Sequence, residues 1–367
     1  MIKFICQKCE LEYPHEGLDY RCRCGGLFRV EFNCTTIDFN ALDVKEHSLW
    51  RYIDTMPFLK PETISMGEGF TPLIPLNPKS RNLLTKCEYY MPTLSFKDRG
   101  AAVLITVAKG FGIKNVICDS SGNAGASIAA YSARAGIVCD VFVPMGVSAK
   151  KLQQIEAYGA NLHKIPGNRE DATNAAICAV EESGAFYASH IFNPLFYEGI
   201  KTYYFEVYEQ LGKMPDCFIV PAGNGTLLMG ARRAFTQMLE WGVITKMPRL
   251  LAVQHENCAP IYQAWKKGES VVSKVIKKSM LAEGIAMAAP IRGEDILATL
   301  RLTDGDVITV TDEEILKARQ EMSLVGIYTE WTDAATYAGY NKFVKKYPCI
   351  AEQTIVMPLC GTGIKSN

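Results

Sequence analysis

Short apolar runs alternate with longer stretches in which apolar residues recur every three or four positions, and this alternation continues through most of the chain. The runs at 115–118, 137–143, 161–164, 216–220, 250–254 and 354–359 predict strands. The stretches at 98–110, 127–135, 149–158, 169–182, 199–211, 226–240, 311–324 and 332–345 predict helices. Strands that alternate with helices imply parallel sheets wrapped by helices, an α/β fold. Residues 1–35 break the pattern and carry paired cysteines. The stretch 36–63 is mixed; its Trp50, Tyr52 and Phe58 are expected to pack against the main body. No internal repeat or low-complexity linker interrupts the chain.

Three junctions in this pattern carry candidate chemistry. In Pro92-Thr93-Leu94-Ser95-Phe96-Lys97-Asp98-Arg99-Gly100 a lysine stands at the predicted start of a helix. Positive charge is disfavoured at that end of the macrodipole, so the position favours the neutral, nucleophilic amine. The characteristic use of such a lysine is a Schiff base with a carbonyl or with pyridoxal phosphate (PLP). Taken alone, the segment reads first as an ordinary charged first turn with a surface lysine. Ser120-Ser121-Gly122-Asn123-Ala124-Gly125 joins a predicted strand to a predicted helix, a place where unpaired backbone N–H groups suit a carboxylate or phosphate. It also reads as a plain capped turn. Pro221-Ala222-Gly223-Asn224-Gly225-Thr226 repeats the arrangement, with glycines that let successive N–H groups converge on an anion. It is neither a Walker loop nor a Rossmann fingerprint. Three such junctions on successive strand–helix units point to one site.

Taken in that order, the segments resemble the fold-type II PLP enzymes, in the threonine synthase branch, over residues 67–365. Gly67-Glu68-Gly69-Phe70-Thr71-Pro72-Leu73 is similar to the family's entry segment, and Ser95-Phe96-Lys97-Asp98-Arg99 to its Schiff-base motif. Ser121-Gly122-Asn123 is similar to its asparagine loop. Asn193-Pro194 with Glu198-Gly199-Ile200-Lys201-Thr202, and Leu359-Cys360-Gly361-Thr362-Gly363-Ile364-Lys365, resemble two further family segments. The resemblance implies two parallel-sheet αβα domains facing each other across PLP. The small domain would be 85–194, and the large PLP-binding domain 36–84 with 195–367. It implies a homodimer and a role in amino-acid biosynthesis.

Composition narrows the setting. The chain has 367 residues, enough for two compact units, and 48% of them are hydrophobic. Acidic and basic residues balance at 39 each, so no nucleic-acid partner is expected. No apolar run approaches a membrane span, and the first residues do not read as a signal peptide. Thirteen cysteines, with Cys118, Cys139 and Cys217 inside apolar runs, suit a reducing cytoplasm better than a disulfide scaffold. Cys6 and Cys9, followed after 12 residues by Cys22 and Cys24, can place four thiolates around one structural zinc in a ribbon over 1–35. Gly25 and Gly26 would form the knuckle. Unligated cysteines, or two disulfides in a secreted chain, are the alternatives; similar ribbons in threonine synthase-like proteins favour zinc.

The resemblance assigns roles residue by residue. Lys97 would hold PLP and serve as the proton-transfer base. Phe96 would pack beside the cofactor, or simply in the core. Gly223, Asn224, Gly225 and Thr226 would bind its phosphate, Asn123 its phenolic oxygen, and Cys360 would neighbour its pyridine nitrogen. An uncharged partner there leaves the ring a weaker electron sink, which favours elimination and replacement. Ser120, Ser121, Gly122 and Ala124 would surround the substrate carboxylate. Lys201 is a candidate anion partner in substrate binding, as is Arg169, though each also reads as a helix-surface charge.

The chain departs from the family pattern at three places. Phe196 stands where an arginine is usual, Leu94 where glycine is usual, and Glu330-Trp331-Thr332-Asp333 replaces Glu-Pro-Ala-Ser. Phenylalanine cannot pair with a phosphate as arginine does. The expected function is therefore a PLP-dependent lyase acting on a small amino acid by elimination or replacement. Its first form is threonine synthase (O-phosphohomoserine and water to threonine and phosphate), with weak use of phosphohomoserine expected from the departures. The alternatives are β-elimination or β-replacement on serine, phosphoserine or a related substrate, as in dehydratases and cysteate synthase-like enzymes, and a non-catalytic PLP-binding protein.

Overall fold

A computed structural model describes residues 2–14, 19–57, 62–78 and 80–366. Phe58 lies outside the described residues. The chain forms two compact units, Met1–Phe70 with Met91–Thr202, and Thr71–Tyr90 with Tyr203–Asn367.

The first unit begins with a three-stranded antiparallel sheet, β1 (Lys3–Cys6), β2 (Glu12–Pro14) and β3 (Phe28–Glu31), in the order β2-β1-β3. Its main sheet has four parallel strands. The chain enters it through helix α1 (Lys97–Gly110) and then runs β6 (Asn115–Cys118), α2 (Asn123–Ala135), β7 (Val138–Pro144), α3 (Ala149–Ala157), β8 (Asn161–Ile165), α4 (Arg169–Ser183), β9 (Phe186–Tyr187) and α5 (Leu195–Ile200). The strand order is β8-β7-β6-β9, every pair parallel. Local sequence sets the helix ends. Asn168 and Asp171 form a capping box at the start of α4, and Gly136 ends α2 in the left-handed conformation at φ +67°.

Close approach of α1 and α5 needs two glycines. A Cβ on Gly199 would lie 1.9 Å from the Arg99 carbonyl oxygen, and one on Gly100 would lie 2.3 Å from the Phe196 ring. The mixed stretch before Phe70 is anchored as its aromatic content suggested. Trp50 and Tyr52 are buried, and the buried Glu68 carboxylate accepts from Trp50 Nε1 (2.7 Å), Met66 N (2.7 Å) and Tyr131 Oη (2.9 Å). The antiparallel module also docks: Tyr20 packs edge-on against Tyr187 and Phe192, beside a core of Ile117, Ala176 and Val180.

The second unit is a six-stranded sheet of β4 (Leu73–Asn77), β5 (Ser80–Lys86), β10 (Cys217–Pro221), β11 (Arg249–His255), β12 (Asp306–Val310) and β13 (Ile355–Pro358). The order is β12-β11-β10-β13-β5-β4, parallel except for the edge pair β4–β5. Its helices are α6 (Thr202–Leu211), α7 (Thr226–Glu240), α8 (Pro260–Lys267), α9 (Gly293–Leu302), α10 (Asp312–Leu324) and α11 (Trp331–Lys346). All five residues of β10 are buried, as expected of a parallel strand covered on both faces. Ile219, Val253, Ile355 and Met357 pack under Ala334, Ala338 and Phe343 of α11.

Candidate active site

The chemistry-bearing residues of the first unit gather at the starts of α1 and α2. Lys97 is the first residue of α1, half-buried, with Nζ 4.5 Å from the centre of the Phe96 ring and 5.8 Å from that of Phe196. Asp98 is fully buried and fastens this turn. It accepts from Thr93 N at 2.7 Å and from the Thr93 hydroxyl, and Ser127 Oγ on α2 lies 2.6 Å from Oδ1. The sequence motif displayed Asp98, but its partners Thr93 and Ser127 are visible only in the folded unit.

No side chain caps α2, whose N-cap is Gly122. Ser120 and Ala124 are buried, Ser121 and Asn123 half-buried and Gly122 exposed, and Gly122 N donates to Ser120 Oγ at 3.4 Å. A Cβ on Gly125 would lie 1.8 Å from the Ser120 carbonyl oxygen, so the turn closes only with glycine there.

The segment 189–202 supplies the walls near Lys97. Phe196 is fully buried and packs against Gly100 and His190. His190 is buried with Nδ1 unbonded among the described residues, and burial, then Lys97 and Arg169, hold its imidazole well below the usual histidine range. Lys201 is not a surface charge. It is fully buried, with Nζ 2.6 Å from Glu198 Oε2 and 2.6 Å from the Thr55 carbonyl oxygen. Arg169 is exposed at the start of α4.

Leu94 sits in the left-handed region at φ +65°, at the position where glycine is usual in the resembling family. That conformation costs a branched side chain roughly 1–2 kcal/mol. Leu94→Gly relieves the strain and adds unfolded-state entropy worth about 0.5–1 kcal/mol against it. The variant is expected to be as stable as the parent or more stable by up to about 1.5 kcal/mol. Urea denaturation reads this, and a loss above about 1 kcal/mol would mean that Leu94 is not strained.

In the second unit, Gly223, Asn224, Gly225 and Thr226 join β10 to α7. Gly225 takes φ +75° as the N-cap, and no side chain caps the helix. A Cβ on Gly225 would strike Ile296 at 2.5 Å, and one on Gly223 would lie 3.0 Å from the Gly284 carbonyl oxygen. Asn224 Oδ1 is buried without a partner among the described residues. An uncapped, glycine-lined helix start of this kind fits a phosphate. Cys360, after β13, is buried beside Asp333 on α11.

The four amino-terminal cysteines converge. Their Sγ atoms lie within 4.8 Å of one another, with Cys6–Cys24 and Cys9–Cys22 each at 3.5 Å. A tetrahedral ion with metal–sulfur bonds of about 2.3 Å needs sulfur separations of about 3.8 Å, so the set fits. All thirteen cysteines are free. Gly25 turns at φ +80°, and a Cβ on Gly26 would lie 2.5 Å from Cys6 Sγ, so both glycines shape the knuckle. Tyr13 Oη donates to Cys22 Sγ at 3.3 Å, and this bond leads in lowering that thiol to about 6.

Two mainly parallel α/β units, one with a lysine at a helix start and the other with a glycine junction at an uncapped helix start, are the class of fold that PLP enzymes use. The family described as pyridoxal-phosphate-dependent enzyme matches residues 64–361, and the chain belongs to it. It is a PLP-dependent lyase by that membership and by its relatives. Threonine synthase of Methanocaldococcus jannaschii is 33% identical over 98% of this chain and 92% of its own length. Threonine synthase of Methanosarcina acetivorans is 32% identical over 100% and 92%. Among solved structures, maize serine racemase superposes with a TM-score of 0.70 at 23% identity, over 80% of this chain and 88% of that one. Threonine deaminase isoform 2 from Solanum lycopersicum gives 0.69 at 23% identity, over 80% and 79%, a likeness of fold. Among the described residues no helix is long and apolar enough to cross a membrane.

Proposed function

We propose that this lyase acts on a small amino acid with a leaving group at Cβ or Cγ, as a threonine synthase-type enzyme. The observation that carries the reading is the lysine turn. Lys97 opens α1 between two aromatic rings, on a turn fixed by the buried Asp98. PLP, when bound, withdraws electrons from the substrate's Cα and so makes its proton removable. Lys97 holds the cofactor covalently and takes and returns the proton at Cα. Phe96 and Phe196 shield its amine from water. The backbone N–H groups around Ser120, Ser121, Gly122 and Ala124 bind the substrate carboxylate, and Asn123 the cofactor's phenolic oxygen. Gly223, Asn224, Gly225 and Thr226 hold the phosphate by backbone donors, and Cys360 lies beside the ring nitrogen.

Phe196 favours a second reading for the leaving group. It brings an apolar ring to the place where an arginine is usual, and Lys201 is occupied by Glu198 and Thr55. Both accord with a β-leaving group on serine, phosphoserine or a similar substrate. The test is a screen of purified enzyme against amino acids and their phosphoesters, following absorbance and products. Absorbance changes with no turnover on any substrate would support a non-catalytic PLP-binding protein instead.

We propose that Cys6, Cys9, Cys22 and Cys24 bind one zinc in a structural role, because four thiolates fill its coordination sphere. Metal analysis of protein purified without chelator is expected to give one equivalent, and less than about half would count against it. Replacing one ligand is expected to loosen the ribbon while PLP binding persists, since structural zinc stabilises mainly its own module. Loss of PLP binding in that variant would mean that the ribbon supports the first unit.

A further inference from the structure

Asp333, where the resembling family has serine, is fully buried in the first turn of α11 and bonds the segment that follows β13. Its Oδ1 accepts from Cys360 N at 2.7 Å, and its Oδ2 lies 3.3 Å from Gly361 N. The Cys360 thiol also bonds this carboxyl. Thr329 Oγ1 makes a short contact with Oδ2 and lies 3.0 Å from the Gly361 carbonyl oxygen. A hydroxyl has one proton, so Thr329 cannot donate to both oxygens. If it donates to the carbonyl, the hydrogen in its contact with Asp333 must come from Asp333.

The surroundings agree with that count. Among the described residues, the titratable groups that act on Asp333 most are Glu330 at the start of its own helix and Cys360, with Tyr89 from the segment Glu88–Tyr90 also facing it; none of these is cationic. Burial first, then the charge of Glu330, pushes its carboxyl well above the usual carboxylate range, and the bonds with Thr329 and Cys360 offset this only in part. A buried carboxylate with no cation is far costlier than a neutral acid that donates one hydrogen bond and accepts others.

We propose that Asp333 is a positioning residue that works as a neutral carboxylic acid, donating to Thr329 and holding the Cys360 thiol proton on its carbonyl oxygen, so that the sulfur turns lone pairs to its remaining side. The proposal rests on the assignment of Cys360 to the cofactor's ring nitrogen. The substitution of aspartate for serine thus sets the direction of one hydrogen bond at the cofactor.

Two measurements on the holoenzyme test it. Asp333→Asn keeps a donor for Thr329 and an acceptor for Cys360. Between the unfolded carboxyl pKa of about 3.9 and the raised folded value, the folded parent keeps a proton that the unfolded chain releases. The parent therefore loses stability relative to Asp333→Asn as pH rises. The Tm difference, variant minus parent, measured from pH 5 to pH 8, is expected to grow as pH rises from 5 and to level off only above the raised folded value. A Tm difference that stays flat across that range is what a carboxyl ionised in both the folded and the unfolded state gives, and it would overturn the proposal. In the second measurement, Asp333→Ala frees the thiol proton and is expected to shift the cofactor's absorbance, while Asp333→Asn leaves it unchanged. In the Cys360→Ala background, Asp333→Ala is expected to add no shift. An equal shift from Asp333→Asn, or a further shift without the thiol, would overturn the positioning role. If Cys360→Ala itself leaves the spectrum unchanged, the assignment of Cys360 to the ring fails, while the Tm profile still decides the state of Asp333.

Discussion

Lys97→Ala is expected to lose covalent attachment of PLP and nearly all turnover. The lysine supplies two effects at once: it holds the cofactor and it moves the Cα proton. Proton transfer by a positioned side chain contributes roughly 10²–10⁴-fold by itself, so the loss in kcat is expected to reach at least about 10². Neighbouring cations do not replace it. Lys201 is bonded to Glu198 and Thr55, and Arg99 is buried with a guanidinium N–H donating to Thr202. The checks are mass spectrometry after borohydride reduction, which reads attachment directly, and steady-state kinetics with and without a small added amine. Partial recovery with amine would mark the missing group as a base. Normal turnover without it would remove Lys97 from the mechanism.

The second expected result concerns the leaving group. O-Phosphohomoserine is expected to be used poorly beside phosphoserine, serine or an O-acetyl amino acid, judged by kcat/KM. A charge-assisted hydrogen bond contributes roughly 1.5–3 kcal/mol. Its loss at Phe196 corresponds to a deficit of about ten- to a hundredfold. The structure strengthens this expectation, because Lys201, one of two candidate replacements, is fully buried and already paired. Phe196→Arg is not a useful restoration. The ring lies fully buried against Gly100, and an arginine there would carry an uncompensated charge into the packing of α1 and α5. A wide margin in favour of phosphohomoserine would show that the departures were misread, and loss of that margin in Arg169→Ala would then identify the remaining cation as the phosphate's partner.

Some of this was available before any coordinates because it is local. Strands β6, β7, β8, β10, β11 and β13 follow from short apolar runs, and α1, α3, α4, α7, α10 and α11 from the helical period. The pattern does not predict β1–β5, β9 or β12, nor α5, α8 and α9. The edge pair β4–β5 mixes polar with apolar positions, and a six-residue helix such as α5 is too short to show a period. The helical start at Asn123 was hidden by the glycine and alanine content of its first turn.

The sequence by itself determined the lysine turn, the two glycine junctions, the cysteine spacing and the α/β class, because each depends on residues close in the chain. It also exposed Phe196, Leu94 and Asp333 as departures. Only the tertiary structure decided what those departures do. It set Leu94 at positive φ, buried Phe196 against Gly100 and paired Lys201 with Glu198 and Thr55. It brought Asp333 to Cys360 and Thr329. The reason is that burial and hydrogen-bond partners are non-local. A side chain's charge state and direction depend on which distant groups desolvate it and which accept its protons, and chain neighbours do not reveal either.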